Sequence, residues 1–139
     1  DDNGDPIQRE GNAGGYLVLD KTLYQSEERE WGSFLQFGQT IENLNEVDLY
    51  AGGGITCRGC LKNRSEDHIG IAVAYAFVSD ELIDATNRDR AETTLELTYR
   101  AKITEHLTLQ PDIQWIFNPG ANPDFDDAFV TGLRFELAL

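Results

Sequence analysis

The chain has 139 residues, 25 Asp+Glu against 11 Lys+Arg, a formal net charge of −14, two Cys and no Met. The length allows one domain with a modest core, and the acidity argues against nucleic acid or a polybasic membrane-surface mode, both of which need a basic patch. Hydrophobic residues at 40% and aromatics at 10% separate it from disordered acidic chains; the missing Met points to a processed chain or an excerpt of a longer one.

In chain order, residues 1–14 are polar and Gly/Asp-rich and read as a loop or frayed terminus. They have neither the basic nor the apolar region of a secretory signal. Beyond them the chain alternates with a period of two, and seven strands are predicted: Gly15–Gln25, Trp31–Thr40, Glu46–Gly59, His68–Ser79, Glu92–Ile103, Leu107–Phe117 and Asp127–Leu139. Turn-type clusters separate them, so a meander of antiparallel hairpins is the economical topology.

The fifth strand sets Leu95, Leu97, Tyr99, Ala101 and Ile103 against Thr94, Glu96, Thr98, Arg100 and Lys102. The sixth sets Leu107, Leu109, Pro111, Ile113, Trp115 and Phe117 against Thr108, Gln110, Asp112 and Gln114, with Ile116 as the exception. The seventh sets Leu133, Phe135, Leu137 and Leu139 against Arg134, Glu136 and small residues. In the fourth, Ile69, Ile71, Val73, Tyr75 and Phe77 alternate with Gly70, Ala72, Ala74 and Ala76.

One segment breaks the period. Ser79–Arg90 reads as a short surface helix inside a connection, with Ser79 as cap, Asp80 and Glu81 at the positive end of its dipole and Arg88 and Arg90 at the negative end. The connections alternate in length toward the C-terminus: Asn118–Asp126 long, Thr104–His106 short, Asp80–Ala91 long, Cys60–Asp67 shorter. Outer-membrane barrels pair short periplasmic turns with longer external loops in this way. No apolar run approaches the ~18–20 residues of a transmembrane helix, the longest being Ile69 to Val78, but a transmembrane β-barrel escapes that test because its strands alternate.

The cysteines stand as Cys57-Arg58-Gly59-Cys60. No helix follows to lower a thiolate pKa as a redox motif needs, and His68 and His106 do not complete a zinc spacing. A local disulfide, whether inert or labile, and two free thiols stay open. Asp124, Asp126 and Asp127, with Asn122, are a weak calcium candidate without EF-hand spacing. Glu96 and Asp112 can be drawn as a glycosidase pair, but such pairs arise by chance in so acidic a chain. With both His at turn edges, no nucleophilic constellation can be assembled, and no enzyme and no cofactor are expected.

Alternation alone does not say whether the apolar set meets lipid or a soluble core. Charges of both signs fill the polar face of consecutive strands. Trp31, Tyr75, Phe77, Trp115 and Phe117 sit near strand ends, where membrane girdles lie, and the chain finishes on an alternating apolar strand. Strands of 10 residues or more at ~3.3 Å each, tilted ~45°, match a hydrocarbon slab. Lipid is therefore the expected partner of the apolar face.

Four stretches stand out: Val47-Asp48-Leu49-Tyr50-Ala51-Gly52-Gly53-Gly54 with Arg58-Gly59; Ile69 to Ala76 with Ser79-Asp80; Glu92 to Ala101; and Leu107-Thr108-Leu109-Gln110-Pro111-Asp112-Ile113-Gln114-Trp115-Ile116-Phe117-Asn118-Pro119-Gly120. In this order they resemble the carbohydrate-selective outer-membrane porin family (OprB type). The likeness runs over residues 15–139, and departs from the family in Cys57 and Cys60, in Lys21 on the first strand and in the final Leu139. It implies an all-β, antiparallel up-and-down transmembrane barrel, of which 15–139 is the C-terminal part, in the bacterial outer membrane. It implies passive diffusion of mono- or oligosaccharides through a polar lumen. Sugar recognition wants planar hydrogen-bonding groups and aromatic faces. The candidates on the presumed lumen face are Asp48, Tyr50, Arg58, Glu96, Arg100, Asp112, Gln114, Arg134 and Glu136. Seven strands leave two raw edges, which lipid does not tolerate, so closure is expected to need further strands or copies of the chain. The alternatives are a soluble periplasmic β-barrel that binds a small apolar ligand and a small outer-membrane barrel of about eight strands without an open pore.

Overall fold

The computed structural model describes residues 11–41, 45–86 and 88–138. Within these lie seven strands: β1 Gly14–Gln25, β2 Glu30–Thr40, β3 Val47–Arg58, β4 His68–Val78, β5 Ala91–Lys102, β6 Leu107–Phe117 and β7 Ala128–Leu137, with one helix, α1, Asp80–Thr86. They form one sheet in the order β1-β2-β3-β4-β5-β6-β7, so every strand pairs with its neighbour in sequence, and all six pairings are antiparallel. Register shifts between Thr22 and Tyr24 and between Val47 and Leu49 interrupt otherwise continuous ladders. Such bulges add local twist.

The predicted strands end within one or two residues of the observed ones, and where they differ the reason is local. β3 stops at Arg58 because Gly59 takes φ +70, and a side chain there would run into the Glu28 carbonyl. β4 stops at Val78 because the Ser79 carbonyl already accepts the Leu82 and Ile83 N–H groups of the helix, at 3.0 and 3.1 Å. The helix is shorter than the sequence suggests. It ends at Thr86 with no basic residue in its last turn. Arg88 reaches away to the Gly120 carbonyl at 3.3 Å, and Arg90 pairs with Asp80 at 3.7 Å, both exposed. Of the polar leader, residues 1–10 lie outside the described residues; the sheet begins at Gly14.

Connections alternate between two ends of the sheet. One end carries 26–29, 59–67 and 103–106; the other carries 41–46, 79–90 and 118–127. We call these the turn end and the loop end. Aromatics gather on the apolar face at the loop end, where Trp115 stacks on Phe117 at 5.8 Å and meets Phe129 edge-on at 6.3 Å.

Exposure runs opposite to that of a soluble sheet. The large apolar side chains are the exposed ones, for example Leu35 at 61%, Leu97 at 47% and Phe135 at 67%. Glu96, Thr98, Arg100, Asp112 and Gln114 are only half exposed. Fully buried apolar residues are few among the described ones: Cys57, Val78, Ala101 and Ala121. The sheet is thus held by its ladders and cross-strand pairs rather than by a packed interior.

Candidate channel-lining face

Directly paired residues of neighbouring strands share a face, so the register sorts the polar set into rows across the sheet. A middle row runs Phe34, Gly54, Ala72, Glu96 and Gln114. There Gln114 Nε2 donates to Glu96 Oε2 at 3.1 Å. One step toward the turn end, Thr56, Gly70, Thr98, Asp112 and Gly132 form the next row. Thr98 Oγ1 accepts from Gln110 Nε2 at 3.0 Å. The Asp112 carboxylate lies over Gly132, where a Cβ would come within 2.5 Å of it.

A further step brings Glu30, Arg58, His68 and Arg100 into one row, while Gln110 faces Arg134. Arg58 approaches Glu30 at 3.8 Å. Arg100 donates to Glu136 at 3.0 Å, and at the rim Lys102 Nζ donates to Glu66 at 3.0 Å. Arg58, Glu66, His68, Arg100, Lys102 and Glu136 surround an open basin of about 380 Å³. Its charges are mixed and cross-paired, not of one sign.

Of the nine sequence candidates, the register therefore gathers Arg58, Arg100 and Glu136 at the turn end and joins Glu96 to Gln114 at mid-height. Asp112 leans onto β7. Arg134 stands on the edge strand. Asp48 falls at the β3 register shift, and Tyr50 lies nearer the loop end, opposite Gly38 and Ala76. Phe34 was not singled out by sequence reasoning, because β2 carries Phe34, Leu35 and Phe37 on both faces. The run Gly52-Gly53-Gly54 is the signal that marks it: a Cβ on Gly54 would sit 2.6 Å from Phe34 Cε1.

The β3–β4 turn is fastened to the sheet. A disulfide joins Cys57 and Cys60, and Gly59 N–H donates to the Asp67 carbonyl at 2.9 Å. Asp67, 4% exposed, accepts from the Tyr99 hydroxyl and Arg64 Nε through Oδ2. Its Oδ1 accepts from the Lys102 N–H at 3.0 Å. Burial pushes its carboxyl pKa up, and the bonds from Tyr99, Lys102 and Arg64 together outweigh burial and hold it below the ordinary value.

At the loop end two connections are clasped. Asp89 N–H donates to the Ala121 carbonyl at 2.8 Å, and Gly120 N–H donates to Glu92 at 2.7 Å. Asn118, Gly120 and Ala121 all take positive φ there. The three aspartates weighed for calcium do not converge. Asp127 accepts from the Asn118 N–H at 3.3 Å, and the described residues contain no group of three or more His, Cys, Asp or Glu placed to share a metal.

A meander whose large apolar side chains lie exposed on one face and whose polar side chains pair across strands on the other has the make-up of a section of β-barrel wall. Over residues 1–139 the chain matches the family described as carbohydrate-selective porin, OprB family, and it belongs to that family, one of channels rather than catalysts. It is 28% identical to Porin B of Pseudomonas aeruginosa, a match that covers 66% of this chain and 24% of that protein. Among solved structures it resembles Pseudomonas putida OprB at high pH, with a TM-score of 0.79, 28% identity and coverage of 89% of this chain and 34% of that one. The chain thus spans about a quarter of the curated relative and a third of the solved one.

Proposed function

We propose that this chain is part of the wall of an outer-membrane channel through which sugars diffuse passively. The observation that carries the reading is the inverted exposure, clearest in β2, β5 and β6, where the large apolar side chains are the exposed ones and the polar set is half exposed. The apolar set meets lipid, and the half-exposed polar ladder faces water in the lumen. The shorter connections of the turn end suit the periplasmic side and the longer ones of the loop end the outside, and the edges β1 and β7 would close onto further barrel strands. Arg and carboxylate groups already paired across strands offer donors and acceptors without a large net charge, which suits a neutral polyol. Asp48, Tyr50, Arg58, Glu96, Arg100, Asp112, Gln114, Arg134 and Glu136 are the candidate sugar-path groups.

The test is reconstitution of the membrane-inserted protein carrying this chain into planar bilayers. Open steps of ion current that fall as neutral sugar is added are the expected result. A protein that stays monodisperse in buffer without detergent and forms no channels would overturn the reading.

A further inference from the structure

We propose that Lys21 and Ser33, with Tyr24 and Trp31, hold the phosphate of one membrane phospholipid on the apolar face of the sheet, and that one of its acyl chains lies in the groove beside Ser33. The proposal rests on the lipid assignment made above and goes further by naming a fixed lipid site and its contacts.

Lys21 is the anomaly of that face. It pairs with Ser33, and the row continues through Ile55, Ile71, Leu97 and Ile113. Among the described residues that pair on this face, Lys21 is the one charged side chain. It is exposed, and no described carboxylate forms an ion pair with it. A bare ammonium against hydrocarbon is costly, so a lysine on such a face reaches for the membrane boundary or for an anion.

The register offers both. The next row on the same face toward the turn end, about 7 Å along the strand, is Tyr24 paired with Trp31. The register shift between Thr22 and Tyr24 is what brings Tyr24 to this face. Both rings are exposed, and rings of these two kinds mark the headgroup level of a bilayer. A lysine stem lying along the strand carries its ammonium toward that level. The ammonium and the indole N–H can only donate, and the Ser33 and Tyr24 hydroxyls can donate as well. Four donor groups within two rows call for an acceptor-rich anion, which a phosphodiester is.

The groove is an independent observation. From Ser33 a shallow groove of about 470 Å³ runs over Gly53, between Leu35, Ile55, Val73 and Leu95. Gly53 contributes no side chain, and the other four are apolar. The Leu35–Gly53–Val73–Leu95 row lies on the loop-end side of Lys21, the direction in which the chains of a lipid anchored at the turn end would run. Donors and groove thus follow one another in the order of a headgroup and its chain. A free phosphate would leave the groove unused, and a hydrocarbon chain alone would leave Lys21 unpaired.

The test uses native mass spectrometry of the detergent-solubilised protein that carries this chain, with phosphatidylglycerol or diacylglycerol of the same chains added. The wild type is expected to retain one phosphatidylglycerol and not the diacylglycerol. Lys21→Leu, which suits an apolar face, is expected to weaken that retention about five- to tenfold, the order of one Lys against an anionic headgroup. Ser33→Val is expected to weaken it less, and reads the same site should Lys21→Leu fail to fold. Arg90→Gln, at the loop end, is expected to change nothing. Equal retention in wild type, Lys21→Leu and Ser33→Val, in proteins that still form channels, overturns the site and leaves the porin reading standing. A wild-type dimer that Lys21→Leu splits, with lipid retention unchanged, also overturns it, in favour of a carboxylate from a second copy. A protein that stays monodisperse without detergent overturns both readings.

Discussion

Asp67 is bonded through its N–H, its carbonyl and both carboxylate oxygens. Replacing it with Asn would leave buried partners short of an acceptor, and a buried donor without a partner costs about 1–3 kcal/mol. Asp67→Asn is therefore expected to lower the urea midpoint of the detergent-folded protein at pH 7. Because the folded carboxyl binds its proton more weakly than the unfolded one, whose ordinary value is 3.8, the ionised form stabilises the fold above that value. The contribution is lost as the pH falls through the lowered folded value. Wild type is expected to lose more stability than Asp67→Asn between about pH 5 and pH 2; parallel acid profiles for the two proteins would show that this carboxylate does not act in that way. Nothing in the sequence marked Asp67, since an Asp in a turn between Glu and His has the composition of any solvated turn. Its importance comes from Tyr99 and Lys102, more than thirty residues away.

The hairpin of β3 and β4 shows what patterning can reveal and what it leaves hidden. Strict alternation specified β4, β5, β6 and β7, because a one-residue slip would turn every side chain to the other face. Boundaries were less legible, since they depend on single backbone events such as the positive φ of Gly59. The candidate lining residues were chosen by alternation alone, and their grouping into rows needed the register. Phe34 needed the glycine beneath it. Closing the four-residue ring from Cys57 to Cys60 restricts the unfolded chain by about 2 kcal/mol in the loop-entropy account. The double variant Cys57→Ala/Cys60→Ala is expected to lose up to that amount in denaturant titrations and to gain protease cleavage within 61–66. An unchanged midpoint would mean that the Asp67 network alone holds the turn.

Across the whole sheet, the two faces make opposite demands on the same strand. Leu97 pairs with Ile71 and Ile113 at the centre of the apolar face, and Thr98 pairs with Gly70 and Asp112 on the polar one. If the apolar face meets lipid, Leu97→Arg is expected to cost about 2–4 kcal/mol near the midplane, read as loss of the folded, heat-resistant band on electrophoresis. Thr98→Arg is expected to fold and to alter ion selectivity instead. Equal tolerance of arginine at both positions would contradict the assignment of faces.

The strictly sequential strand order carries one more consequence. Each ladder closes across a connection of twelve residues or fewer, so no strand waits for a distant partner and each loop closure is entropically cheap. Such an order is expected to favour growth of the sheet hairpin by hairpin. The seven strands can therefore hold their own register, and a hairpin duplicated at either edge would widen the sheet by two strands without disturbing any pairing already made.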